Sequence, residues 1–263
     1  MIDTQSLLYF LLSFIVGSAW VSIITFIAEK KGTLIGGILG GLPSTSAFSF
    51  LFIGINQSPI VAVQATTIFP LAFSITIVYL FFYAFFAQKS FVRGIIISLV
   101  IWLLISGLII VLDIENFVFC LIGGVVISMV TYYGFVRKLK LASVKIEGQL
   151  YKSREIVFRG VGAGLLVAFA VFLSQVGGSI LGGIASAFPA VFTSTLIILN
   201  SSRGTQFSRS ITKPLVLSGI LTIIPFSVAV RFLFPSVGVF WGTLYSYILV
   251  IPLAVFSYIL ARN

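Results

Sequence analysis

The chain has 263 residues, of which 59% are hydrophobic and 8% charged, against roughly 25% charged in a soluble domain. Six acidic and sixteen basic side chains cannot cover the surface of a soluble fold of this size, so secreted, disordered and fibrous classes fail and an all-α polytopic membrane protein is expected. With no histidine and one cysteine, Cys120, disulfide frameworks, zinc sites and imidazole acid-base chemistry are excluded as internal devices.

A helix that crosses the hydrocarbon core needs about 20 mostly apolar residues. Nine charge-poor stretches meet that need: 7–28, 33–55, 60–87, 94–112, 117–136, 160–176, 179–200, 214–234 and 237–260. The first has no basic flank and exceeds the length of a signal h-region, so it is expected to persist as a helix. When the loops alternate sides, every Lys and Arg except Arg231 falls on one side, while Asp3, Asp113 and Glu115 share the other with Arg231. Short cytoplasmic loops collect Lys and Arg. The expected location is therefore the plasma (inner) membrane, N-terminus outside and C-terminus cytoplasmic, with Arg231 snorkelling outward. The net charge of +10 is then a set of cytoplasmic anchors and gives no reason to expect nucleic acid. The basic loop 137–159 is either topology alone or a contact for anionic headgroups.

The second and seventh stretches share a signature. One reads Ile38-Leu39-Gly40-Gly41-Leu42-Pro43-Ser44-Thr45-Ser46-Ala47-Phe48 and ends at Asn56-Gln57-Ser58. The other reads Ile180-Leu181-Gly182-Gly183-Ile184-Ala185-Ser186-Ala187-Phe188-Pro189 and ends at Asn200-Ser201-Ser202, with a two-residue gap after the glycines. Each is followed by a proline-bearing helix, with Pro70 in one and Pro214 and Pro225 in the other.

These segments, with Gln64-Ala65-Thr66 after the first and Arg203-Gly204 and Ile223-Ile224-Pro225 after the second, resemble the small four-helix GlpM-type bacterial membrane proteins. The resemblance covers stretches one to four and again six to nine. It implies a four-helix unit present twice and implies no reaction. The first copy departs from the pattern, having Asn56-Gln57-Ser58-Pro59 where the second has Arg203-Gly204. The expected organisation is 1–116 as one four-helix repeat, 117–158 as a connector helix with its basic loop, and 159–263 as the second repeat. An odd number of crossings separates equivalent positions in such a 4+1+4 chain, so the repeats would have inverted topology. Inverted repeats with a midplane site recur among secondary transporters, and the transfer of that function is an analogy of architecture.

Gly36, Gly37, Gly40 and Gly41 precede Pro43 by up to seven residues, near the bilayer midplane at about 1.5 Å per residue. Pro43 removes a backbone donor and disfavours helix before it, so a break is expected there, with Ser44, Thr45 and Ser46 capping the resumed helix. Gly182 and Gly183 stand likewise before Ser186 and Pro189, and Thr193, Ser194 and Thr195 follow. The expected binding set is Gly40, Gly41, Pro43, Ser44, Thr45, Ser46, Gly182, Gly183, Ser186, Pro189, Thr193 and Ser194, where two positive helix ends meet a ring of hydroxyls. The same glycines, as Gly36-x-x-x-Gly40 and Gly37-x-x-x-Gly41, also fit plain close packing of helices.

No acidic residue lies inside a stretch, so carboxylate proton relays and carboxylate-bound cations are not expected. Sodium held by carbonyls and hydroxyls stays open. A neutral, anionic or amphipathic solute suits the site, helix N-termini favouring an anionic group. Neither a catalytic residue nor a cofactor or metal is expected, since no nucleophile motif or metal cluster is present. Trp20, Trp102, Trp241 and the phenylalanines are expected as lipid-facing or packing residues, Cys120 as apolar filler, and Gln64 and Gln175 as interfacial. The expected function is a transporter or facilitator whose partners are the bilayer and a small solute; the competing one is a non-catalytic membrane assembly subunit. Oligomeric state carries no expectation.

Overall fold

The computed structural model describes residues 4–30, 42–139, 141 and 152–262, and every regular element among them is helical. In order these are α1 (Thr4–Lys30), α2 (Ser44–Asn56), α3 (Pro59–Phe86), α4 (Phe91–Leu112), α5 (Phe117–Gly134, running into a π-helical turn at Phe135–Leu139), α6 (Ser153–Ser186), α7 (Ala190–Arg203), α8 (Thr205–Ser210), α9 (Thr212–Ser218) and, after a π-helical turn at Gly219–Ile223, α10 (Ile224–Arg262). Six helical runs are long and apolar enough to cross a membrane, and the molecule is a helical membrane protein. Gly36, Gly37, Gly40, Gly41 and the middle of the basic loop lie outside the described residues.

Helix boundaries follow local chemistry. The Ser58 hydroxyl accepts from the Val61 N–H and Pro59 occupies the first turn of α3, where its missing donor costs nothing. Asn116 accepts from the Phe119 N–H to start α5. The Glu155 carboxylate accepts from the Lys152 N–H at the start of α6.

Two long helices are not straight. Gly178 in α6 has φ 82 and ψ 176, and Gly238 in α10 has φ 79 and ψ 170, a region open essentially to glycine alone. Eight residues along a straight helix span about 12 Å. Yet a Cβ built on Gly182 would lie 2.5 Å from the Ser174 Cβ, and one on Gly242 would lie 2.6 Å from the Phe234 Cδ1. Each chain therefore reverses at its glycine, and both α6 and α10 are helical hairpins without a loop.

α3 is the central post: 78% of its apolar window is buried, against 17% for α5. Its buried face carries Phe69, Phe73, Tyr79 and Tyr83. α5 approaches the Pro70 carbonyl so closely that Gly124 has no room for a side chain. α1 and the first leg of α6 meet through small residues, Gly160 against Ser22 and Gly164 against Ser18, as membrane helices do when backbones approach.

Arg231 and Trp102 both have partners inside the bundle, Trp102 as one of the expected packing residues. Arg231 does not merely reach outward: its Nη1 donates to the Val63 carbonyl at 3.1 Å and to the Thr67 hydroxyl at 2.9 Å, and the guanidinium lies 4.2 Å from the Phe117 ring centroid. It is held by the turn of α3 that precedes Pro70 and by the ring face of α5. Trp102 is 4% exposed and faces inward, because its indole N–H has a partner there.

Candidate binding cleft

α2 begins at Ser44 behind Pro43, and α7 begins at Ala190 behind Pro189. Each proline is the non-helical residue just before its helix. The two starts face one cleft, lined by Leu42, Pro43, Ser44, Thr45 and Ser46 from one break and by Ser186, Ala187, Phe188, Val191 and Phe192 from the other. Phe69 and Phe73 of α3 and Ile223 close the wall. The volume open to the centre of a water-sized sphere is about 40 Å³, room for about three such groups at 10–15 Å³ each.

Of the residues expected in the site, Pro43, Ser44, Thr45, Ser46 and Ser186 line the cleft. Ser44 to Ser46 do not cap α2, whose N-cap is Pro43 without a side-chain cap bond; their hydroxyls are left for the cleft. Gly182 and Gly183 are not at the break, since α6 continues helical to Ser186. They are contact points: Gly183 abuts the Ala65 carbonyl and Ile68 of α3, and Gly182 abuts Ser174 across the Gly178 reversal. Pro189 forms the cap behind the wall. Thr193 is turned away, its Oγ1 2.8 Å from the Tyr79 Oη and donating to the Pro189 carbonyl at 2.7 Å. Ser194 donates to the Val191 carbonyl of its own helix.

Each break leaves a carbonyl with no helical partner, and each is satisfied from another helix. The Tyr247 hydroxyl donates to the Pro43 carbonyl at 3.1 Å. The Thr76 hydroxyl donates to the Ala187 carbonyl at 2.5 Å and accepts from the Trp102 indole N–H at 3.0 Å. Pro43 and Ala187 stand the same number of residues before Asn56 and Asn200, so the two tied carbonyls occupy matched positions in the shared pattern. The sequence reading missed Thr76, Tyr79, Trp102 and Tyr247. The available signal was position: a Tyr or Trp deep in an apolar run, away from the membrane interface, needs a partner for its polar atom.

At the far ends of α2 and of the first leg of α6, amides join the two halves. The Asn56 amide donates to the Gln175 Oε1 at 3.4 Å, the Gln57 amide to the Ser174 hydroxyl at 3.0 Å, and the Gln175 amide to the Ser6 hydroxyl at 2.8 Å. Gln175 is thus a bridge between elements, while Gln64 is exposed. At the matched position, Asn200 accepts from Thr205 within its own half.

No family model matches the chain. No curated protein and no solved structure matches it either.

Proposed function

We propose that the protein is a secondary transporter or facilitator that moves a small neutral, anionic or amphipathic solute through the cleft between two inverted repeats, which we take to be a duplicated GlpM-type unit. In this reading the reversals at Gly178 and Gly238 divide α6 and α10 into two crossings each and, with 33–55 crossing as the sequence predicts, there are nine, with the N-terminus outside and the C-terminus in the cytoplasm. The observation that carries it is the cleft itself: the helix starts behind Pro43 and Pro189, one in each copy of the shared pattern, line one cavity with hydroxyls and helix N-termini. An assembly subunit has no need of a polar centre inside an apolar bundle. The amide bridges of Asn56 and Gln57 to Gln175 and Ser174 fit a closed outer end, and the matched bond of Asn200 within its own half fits a bundle whose two ends are in different states.

The test is solute flux into proteoliposomes across a panel of small anions, neutral solutes and amphipathic acids. Wild-type protein should move at least one class above empty vesicles, and Thr45→Val should slow it without loss of folded protein. A panel that the protein never moves would replace this reading with the assembly subunit.

A further inference from the structure

The cleft has a chemical bias. Behind a proline N-cap three N–H groups at a helix start have no acceptor inside the helix; α2 supplies no side-chain cap for its own, whereas in α7 the Ala190 N–H donates to the Phe188 carbonyl. Ser46 is 4% exposed and lines the cleft, and among the described residues its hydroxyl makes no hydrogen bond; nor do those of Ser44 and Thr45. The carbonyls that could have balanced these donors are taken: Pro43 by Tyr247 and Ala187 by Thr76. Free N–H donors therefore face the cleft where both tied carbonyls are engaged, and among the described lining residues the hydroxyl oxygens are the acceptors that remain. The rest of the wall is aromatic, with Phe69, Phe73, Phe188 and Phe192, whose ring edges carry partial positive charge.

A cation would find no carboxylate among the described lining residues, and both tied carbonyls already engaged. A multiply charged anion would find no Lys or Arg in the lining, and its desolvation would go uncompensated. A neutral polyol would offer the first-turn N–H groups only uncharged oxygens, which accept more weakly than an anion does. What remains is a small anion with one charge.

Resting on the reading of this cleft as a solute site, we propose that it selects a small monovalent anion, of the size of acetate or a halide, held by the Ser46 hydroxyl and the first-turn N–H groups of α2. Acetate and chloride are the probes, titrated against the full-length purified protein in a thermal-shift assay at ionic strength held constant with gluconate, whose six-carbon chain exceeds the cleft. Acetamide serves as the neutral isostere of acetate. Binding to the folded state raises Tm with the logarithm of ligand concentration, so acetate or chloride should give a saturable rise and acetamide none. Ser46→Ala should weaken the anion about tenfold, the factor carried by one hydrogen bond to a charged group, and Ser49→Ala, one turn on and outside the lining, should leave it unchanged. Ser44→Ala is the second variant should Ser46→Ala fail to fold.

An equal rise with acetamide would overturn the anion class and leave the solute site standing. No rise with either anion, or a rise that Ser46→Ala and Ser44→Ala both preserve, would overturn the proposal. Anion binding with no anion flux in proteoliposomes would support this site and overturn the transport reading, so the two fail separately.

Discussion

Thr76→Val tests whether the tied carbonyl at the second break is held as described. The substitution keeps side-chain shape and deletes one hydroxyl. Thr76 is fully buried and Trp102 is 4% exposed, so neither the Ala187 carbonyl nor the indole N–H regains water when the hydroxyl goes. Two buried groups are orphaned by one change. In water-soluble cores that would cost about 1–3 kcal/mol each. Membrane hydrogen bonds measure lower, averaging about 0.6 and reaching about 1.7 kcal/mol, because chains unfolded in the bilayer also find partners. Two such bonds give about 1–3 kcal/mol, which at about 2–4 °C per kcal/mol for a chain of this size is a Tm loss of about 3–10 °C. The assay is thermal unfolding in detergent. Thr76→Ser, which keeps the hydroxyl, should recover most of the loss. Thr25→Val is the matched control: Thr25 is also buried but bonds only the Val21 carbonyl of its own helix, and should shift Tm by about 1 °C or less. If Thr76→Val and Thr25→Val behave alike, the tie across helices has no energetic role and the reasoning fails.

Gly183→Val should destabilise by about 1–3 kcal/mol or more, since its new Cβ would press on the Ala65 backbone carbonyl and lie 2.7 Å from the Ile68 Cγ2; Gly107→Ala, with nothing within 4 Å of its Cβ, should be neutral or gain up to about 1 kcal/mol of helix propensity in the same melt. In a Cys120→Ala background, cysteine at Glu115 should react with an impermeant thiol reagent from outside intact cells and cysteine at Ser153 should not; equal labelling would end the alternating topology. Because no acidic residue or histidine lies in an apolar stretch, flux of acetate should follow its own gradient and be indifferent to an imposed proton gradient once titration of acetate itself is subtracted; uphill uptake driven by protons would refute the coupling argument. Gln57→Leu with Gln175→Leu removes the amide contacts between halves, and should raise labelling of a cysteine at Thr45 from outside; unchanged labelling would show that these amides do not close that end.

The class of fold was legible because the hydrophobic content leaves only one solvent in which the chain can fold. The breaks were legible because proline is the one residue whose backbone announces itself: Pro43 and Pro189 stand at helix starts as their missing N–H requires. The glycines misled, since glycine serves both open geometry and close contact. Gly178 and Gly238 reverse the chain, whereas Gly182 and Gly183 only let helices touch, and the letters are the same. Hydroxyl partners were also hidden. Ser46 and Thr193 each follow a proline by three or four residues, yet one faces the cleft and the other Tyr79, a choice made by helix rotation against α3. Arg231 shows the same blindness, because its partners in a bundle depend on neighbours that sequence spacing does not name.

The glycine reversals bear on how the protein is made. When crossings alternate as proposed, the turns at Gly178 and Gly238 fall on the same side as the short connections Gln57–Ser58 and Asp113–Asn116. That side carries little polar chain, so each pair of helices can enter the bilayer together as a wedge, dragging across a glycine or a few uncharged or acidic residues and, in the Gly238 pair, Arg231. The translocation machinery has little to thread, and a protease or antibody approaching from outside meets helix tips instead of loops. Tags meant to report the outer face belong at 115–116, past the left-handed Asp113, where the side chains are exposed.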